Sequence, residues 1–399
     1  MSSKPILIAG GGIGGLTAAL ALLRQGREVQ VFEQAAQLGE VGAGLQLSAN
    51  ATRALHLLGL SKELAAIAVQ PSGKEIRLWN TGQTWKLFDL GESSIAKYGF
   101  PYYTIYRPDL HRVLVDAIRA LSPDAIRLNA KCERFEQDVP GGHVRLYLAD
   151  GSVSEGQALV GADGVHSAIR RQLFGDGVAT YSGCMAWRGV IPVDRIDHSI
   201  VRQVGTNWVG PGRHVIQYPL RAGKLLNFVG IVETDRWMAE SWNQRGTHAE
   251  CHADFEGWHP EIHELIRNID VPFRWALMAR PPMSTWTKGL VTLLGDASHP
   301  TLPFLAQGAV MAIEDGFILA RALGEVGDVG AALKRYEAAR IGRTTKIVER
   351  STENGRRFHN PELASAEGAA SYVDREWRPD RVIERYHWLF DYRVDEVSL

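Results

Sequence analysis

At 399 residues the chain is too long for one ordinary compact core and predicts two lobes, or one large α/β unit carrying a second layer. With 45% hydrophobic residues, 22% charged residues and a formal net charge of -1, it has the composition of a folded soluble protein, which argues against nucleic acid as a partner. Its three cysteines, Cys132, Cys184 and Cys251, lie far apart and form no CxxC pair, which fits a reducing cytoplasmic compartment without a disulfide framework or a thiolate metal cage.

Residues 6–23 are uncharged and follow Lys4, so by length they could pass for a signal-peptide core or a membrane span. Gly10, Gly11, Gly12, Gly14 and Gly15 cluster where a spanning helix needs its middle, and argue against both. The segment reads instead as a strand over 5–9, a glycine turn and an apolar helix over 16–24, with a second strand over 28–33. Gly10, Gly12 and Gly15 form GxGxxG directly after the strand, and Glu33 follows about 20 residues on, as a dinucleotide site requires. Gly10 permits the tight turn, Gly12 lets the backbone approach a pyrophosphate, Gly15 lets helix and strand pack closely, and the helix N-terminus presents N–H donors to phosphate. Glu33 is placed to accept from an adenosine ribose. This motif alone does not separate FAD from NAD.

Two later segments also end an apolar strand in Gly/Asp: ALVGADG at 158–164 and LVTLLGD at 290–296. In a parallel sheet the carboxyl ends of strands share one crevice, so all three glycine-bearing turns are expected to converge on one ligand. Between them, residues 185–191, 214–220 and 225–233 read as strands of a separate antiparallel layer. Residues 313–355 are helical by pattern and strongly charged in the second half, which reads as a solvated helix. The tail carries Trp377, Tyr386, Trp388, Phe390 and Tyr392 and is expected to dock on the body or on another subunit, which leaves a homodimer open.

In HVIQYPL, residues 214–220, side chains alternate, which puts His214, Ile216, Tyr218 and Leu220 on one face and Arg213 and Arg221 on the other. Asp296 and His299, in GDASHP, have no second His/Asp cluster of ligand spacing nearby, so a metal is not expected. By itself Asp163 could end its strand and cap the next helix.

Three motifs together carry a resemblance. GADGVHSAIR at 161–170, with Asp163-Gly164, Ser167 and Arg170, resembles the DG motif of the single-component FAD-dependent aromatic hydroxylases, and GDASHP at 295–300 resembles their GD motif. With the N-terminal GxGxxG they span most of the chain. Glu40-Val41-Gly42-Ala43-Gly44 resembles that family's second glycine turn, and Arg107-Pro108-Asp109-Leu110 the segment whose arginine contacts FAD. The chain is most similar to the salicylate hydroxylase and 3-hydroxybenzoate 6-hydroxylase group.

The resemblance implies an α/β, para-hydroxybenzoate hydroxylase-like fold. A discontinuous Rossmann-like FAD-binding domain is expected over 1–75, 100–178 and 280–345, with an inserted, mainly antiparallel β-sheet substrate domain over 76–99 and 179–279 and a C-terminal helical tail over 346–399. It implies FAD as cofactor, held by Gly10, Gly12, Gly14, Gly15, Glu33, Gly44, Arg107, Asp163, Gly164, Asp296 (on the ribityl hydroxyls) and Gly308 (beside the isoalloxazine). It implies NADH or NADPH as a transient co-substrate with O₂, and hydroxylation of a small phenolic aromatic acid through a flavin C4a-hydroperoxide. The alternatives are a hydroxypyridine carboxylate as substrate, or a flavin oxidase releasing peroxide. Related hydroxylases line the substrate cavity with the 214–220 strand. Tyr218 and His214 are therefore expected to bind the phenol, with His214 assisting deprotonation, and Arg188 to meet a carboxylate, with Pro303 at the family's usual proline. Where many members have Gly-Gln-Gly and then Asn, this chain has Ala306-Gln307-Gly308-Ala309-Val310-Met311.

Overall fold

A computed structural model of the chain describes residues 4–39, 43–177, 179–235 and 244–399. Among these, a mainly parallel six-stranded sheet runs in the order β17 (Thr287–Lys288), β18 (Val291–Leu293), β11 (Ala158–Gly161), β1 (Ile6–Ala9), β2 (Val29–Phe32), β7 (Ile126–Arg127). β1 pairs in parallel with β2 and β11, and β11 with β18, so the ends of β1, β11 and β18 face one side. These strands are continuous apolar runs because both faces are covered, and Ile6, Leu7 and Ile8 are fully buried. Helix α1 (Ile13–Arg24) packs on the sheet and against α2 (Arg107–Leu121) and α4 (Gly308–Glu325), while α3 (Ala168–Phe174) follows β11. A small antiparallel sheet of β8 (Cys132–Asp138), β9 (His143–Leu148) and β10 (Val153–Gly156) flanks this unit.

The second layer is a seven-stranded sheet in the order β16 (Phe273–Ala279), β12 (Thr180–Pro192), β15 (Leu225–Glu233), β14 (Arg213–Leu220), β13 (Gly205–Gly210), β4 (Gly73–Leu78), β5 (Thr84–Asp89). The three strands expected as an antiparallel layer are β12, β14 and β15, paired antiparallel. On its outer face Trp187, Val215 and Phe228 pack on Cys251, Phe255 and Ile262 of the helices His248–Asp254 and Pro260–Asn268. The inner face, with Ala186, Ile231, Trp275 and Leu277, meets Leu302 and Phe304 of the loop after β18. A two-stranded ribbon, β3 (Gly44–Leu47) with β6 (Tyr103–Tyr106), runs between the layers.

The 313–355 helical pattern divides. Helix α4 ends at Glu325, and Asp328 caps a new helix, α5 (Val329–Phe358), by accepting from the Ala331 N–H at 2.7 Å. Nor is the charged half of α5 simply solvated: Arg340 is 0% exposed, because α5 crosses two acids of α4. The aromatic tail docks on the body as expected. Trp377, Tyr386 and Phe390, in and beside the helices Ala366–Glu376 and Pro379–Phe390, share a core with Ile76, Leu87 and Tyr102.

Candidate active site

The three turns converge. Gly12, Gly14 and Gly15 after β1, Gly164 after β11, and Gly295 and Asp296 after β18 all line one cavity of about 380 Å³. Gly10 has φ +109°, and a Cβ there would stand 2.3 Å from the Ala162 carbonyl oxygen, so the turn accepts only glycine. At Gly12 a Cβ would meet nothing within 4 Å, and the first turn of α1 carries no capping side chain and no acid. Its backbone N–H groups are left to an anion. Glu33 accepts from Gly11 N and Ala35 N, both at 2.8 Å, which brings the end of β2 to the turn and leaves a lone pair on each oxygen for a ribose hydroxyl. These residues fit a dinucleotide.

In the DG motif the glycine, not the aspartate, meets the cavity. Asp163 turns into the N-terminus of α3, accepting from Ser167 Oγ at 2.5 Å, Ala168 N at 2.7 Å and Ile169 N at 3.2 Å. It is a helix cap, the alternative its position already allowed, and this corrects the expectation of a direct cofactor contact. Arg170 ties two loops together, donating to Val165 O at 2.7 Å and Ala297 O at 3.2 Å.

The GD loop rests on a buried ionic cluster. Asp315 of α4 accepts from Gly295 N at 3.1 Å, from His299 Nε2 at 2.6 Å and from Arg340 Nε at 2.7 Å. Beside it, Glu314 pairs with Arg340 Nη2 at 2.7 Å and Arg343 Nη2 at 2.8 Å, and accepts from Asn50 Nδ2 at 2.6 Å. His299 thus belongs to loop shape. Asp296 lines the cavity and is exposed to it.

Burial by itself would raise the Asp315 carboxyl, but His299 and Arg340 hold it down to about 2, and Arg343 and Arg340 likewise lower Glu314. A carboxylate depressed in the folded state adds stability above its unfolded pKa of about 4, and that stability is lost as pH falls through the folded value. Between about pH 4 and pH 2 the protein is therefore expected to lose stability and release FAD, measurable as flavin fluorescence against pH.

Arg107, at the start of α2, and Gly308, the first residue of α4, both line the cavity. Ala306, where many members of the resembling family have glycine, has φ +54° and so holds a left-handed conformation with a Cβ, a cost of about 1 kcal/mol. Ala43 and Gly44 also line the cavity, whereas Glu40, Val41 and Gly42 of the second glycine turn lie outside the described residues.

The opposite wall is the inner face of the seven-stranded sheet, where Arg188, Ile216, Tyr218, Val229, Trp275 and Leu277 face the turns. Arg188 is 5% exposed, 5.1 Å from the Trp275 ring centroid, and burial followed by the nearby Arg107 lowers its guanidinium to about 10. Arg221 is held elsewhere, on Asp109 at 2.7 and 2.8 Å. Pro303 also lines the cavity.

Gly44 N donates to Asn227 Oδ1 at 2.7 Å, and a Cβ at Gly44 would stand 2.5 Å from Tyr218 Cε2 and 2.9 Å from Asn227 Cγ. Because Tyr218 is itself buried, Gly44→Ala must displace it by overpacking. A rise in KM of about tenfold is expected in steady-state assays, corresponding to the 1–3 kcal/mol typical of such strain.

His214 does not stand where the alternation argument put it. It shares the face of Ile216 and Tyr218 but is absent from the cavity wall. Its ring is fully buried between Phe304 at 5.6 Å and Phe358 at 5.1 Å, with Nδ1 2.6 Å from His359 Nε2. The reason is long-range: the end of α5 brings His359 against it, which no local pattern in HVIQYPL encodes. Burial, then His359, push its pKa well below the usual histidine value. Sequence reasoning also passed over Gln46, Trp275 and Leu277. The apolar alternation of FRWALMA was the available sign for the last two.

Glycine turns line one side of the cavity, and an aromatic and cationic sheet face lines the other. The chain belongs to the FAD-binding-domain family, whose model matches residues 3–351, and it is a flavin-dependent aromatic monooxygenase. It is similar to 3-amino-4-hydroxybenzoate 2-monooxygenase of Streptomyces platensis, 38% identical over 98% of this chain and 97% of the relative. It is also similar to 3-hydroxybenzoate 6-hydroxylase of Polaromonas naphthalenivorans, 37% identical over 98% and 96%. The crystal structure of Klebsiella pneumoniae HpxO complexed with FAD and uric acid superimposes with a TM-score of 0.83 at 27% identity, covering 96% of this chain and 98% of that one. Among the described residues no helix is long and apolar enough to cross a membrane.

Proposed function

We propose that this enzyme hydroxylates a small phenolic ring bearing a carboxylate, with Arg188 meeting the carboxylate and Tyr218 the phenol. The observation that carries this reading is the pairing, on one inner sheet face, of a buried guanidinium with a buried tyrosine across an otherwise apolar wall of Ile216, Val229, Trp275 and Leu277. A guanidinium in low dielectric recognises a planar carboxylate strongly, and the apolar wall takes the ring. The substrates named in the two relatives are hydroxybenzoates, which supports the same class. FAD, when bound, would supply the redox chemistry that activates O₂, with NADH or NADPH as the reductant. This chain's part is to orient the ring, exclude water and take the phenol's proton. Gly12, Gly14, Gly15, Gly164, Asp296, Arg107, Gly44 and Gly308 stand along the cavity where they would hold the cofactor, and Glu33 stands at the adenosine end.

The test is NAD(P)H consumption across hydroxybenzoates and hydroxypyridine carboxylates, with product mass and peroxide measured together. A product heavier by one oxygen, at near-stoichiometric NAD(P)H use, is the expected result. Substrate-stimulated peroxide with no oxygenated product from any ring would overturn the reading in favour of an oxidase.

A further inference from the structure

Gln46 lines the cavity, and neither the cofactor reading nor the phenolic-acid reading uses it. It stands on β3 two residues after Gly44 and on the same face, roughly 7 Å along the strand. That face meets the seven-stranded sheet, for the Tyr218 hydroxyl oxygen lies 2.8 Å from where a Gly44 Cβ would stand. Across the ribbon Gln46 pairs with Thr104, whose hydroxyl donates to the Pro219 carbonyl at 2.6 Å. Both placements put the Gln46 amide beside Tyr218. Arg188 is two strands over, level with Val229 and Ile216, so the amide stands at the phenol end of the cavity and not at the carboxylate end.

Tyr102 decides which way this amide stands. Its O–H donates to Gln46 Oε1 at 2.8 Å, and the residue is 4% exposed. Burial, then Tyr218 and Tyr386, push its hydroxyl well above the usual tyrosine range, so it keeps its proton. Were the amide turned over, Nε2 would donate to the Tyr102 oxygen, and the Tyr102 proton would be left buried without an acceptor among the described residues. Hydrogen-bond economy therefore holds Oε1 on Tyr102, behind the wall. Nε2 keeps two N–H donors with no protein acceptor among the described residues, on a side chain that borders the cavity.

We propose that Gln46 is a specificity-determining residue that donates to a substituent on the ring carbon next to the phenol, so that the preferred substrate is a carboxylated ring with two adjacent oxygens. This rests on the phenolic-acid reading above. Tyr218 and Gln46 approach from neighbouring points of one wall, which suits one hydrogen bond each to oxygens on adjacent ring carbons. A hydroxyl or oxo oxygen at the second position has a lone pair to accept from Nε2. A ring amino group does not, because its lone pair is delocalised into the ring and its N–H bonds face those of Gln46. A hydrogen there leaves the Nε2 donors covered by the bound ring and unpaired. The preference separates this enzyme from the Streptomyces relative, whose named substrate carries an amino group beside its hydroxyl.

The test titrates the oxidised, FAD-loaded enzyme with two matched sets of acids and follows the flavin absorbance, so that binding is read without turnover. One set has the hydroxyl para to the carboxylate (3,4-dihydroxybenzoate, 3-amino-4-hydroxybenzoate and 4-hydroxybenzoate), and the other has it meta (2,3-dihydroxybenzoate, 2-amino-3-hydroxybenzoate and 3-hydroxybenzoate). In at least one set the dihydroxy acid is expected to bind about tenfold more tightly than its amino analogue and than the acid with hydrogen there. Tyr102→Phe, which frees the amide to turn, should bring the dihydroxy-to-amino ratio towards one. Gln46→Glu, which sets an acceptor where the donors stood, should reverse it. A merely structural loss would weaken both acids of a pair alike and leave the ratio where it was. Equal binding of the pair by the wild type in both sets, tighter binding of the amino analogue, or a ratio unmoved in both variants overturns the proposal and leaves the phenolic-acid reading standing. Binding of none of these acids overturns that reading and the proposal with it.

Discussion

Replacing Arg188 with methionine is expected to lower kcat/KM for a carboxylated phenol by about 10²–10³-fold, the loss seen when one partner of a buried charge pair is truncated. Methionine keeps much of the stem's volume against Trp275 and Phe273, so the change removes the guanidinium more than the packing. The corresponding phenol without a carboxylate should lose little, because it never placed a charge there. The ratio of the two kcat/KM values, measured by oxygenated product rather than NAD(P)H loss, isolates the contact from any general damage. Equal losses for both rings would remove Arg188 from substrate recognition.

Arg340→Met is expected to destabilise the folded protein by about 3–5 kcal/mol, the cost of breaking a buried ion pair by removing one partner. Arg340 is 0% exposed and pairs with Glu314 at 2.7 Å and Asp315 at 2.7 Å, so its removal leaves two buried carboxylates to the side chains of Arg343, Asn50 and His299. The damage should reach the cofactor, because Asp315 also accepts from Gly295 N, the residue before Asp296. Thermal unfolding of the holoenzyme and the fraction of FAD retained after gel filtration check both effects. A variant that unfolds earlier yet retains FAD fully would show that the cluster supports the core without shaping the loop.

Much of the cofactor side was legible because its signals are local. A strand, Gly10, Gly12, Gly15, a helix and Glu33 occur within one short segment, and the structure displays the backbone crowding that Gly10 and Gly15 answer and the bond from Gly11 N to Glu33. Alternation along 214–220 puts Tyr218 on the cavity face and Arg213 and Arg221 on the other, which leaves Arg188, and Arg221 does lie elsewhere. The same alternation misplaced His214, because facing one side of a sheet does not decide which neighbour a ring meets there. Asp163 failed for a related reason: a carboxylate after a strand can serve a ligand or the next helix, and the Ser167, Ala168 and Ile169 donors were nearer. Arg340 was read as solvated because charge predicts exposure until a partner of opposite charge appears on another helix.

The order of residues alone was enough for a dinucleotide-binding βαβ opening, two further glycine-aspartate turns and an antiparallel layer, which follow from short-range patterns of polarity, chirality and turn geometry. The flavin came from the resemblance that three motifs spread over most of the chain carry together. The packing of the layers was needed to settle which side chains share a cavity, which charges are buried together, and that His214 meets His359. Such pairings join residues more than a hundred positions apart, and they depend on how two layers and a long helix pack, which no local periodicity records.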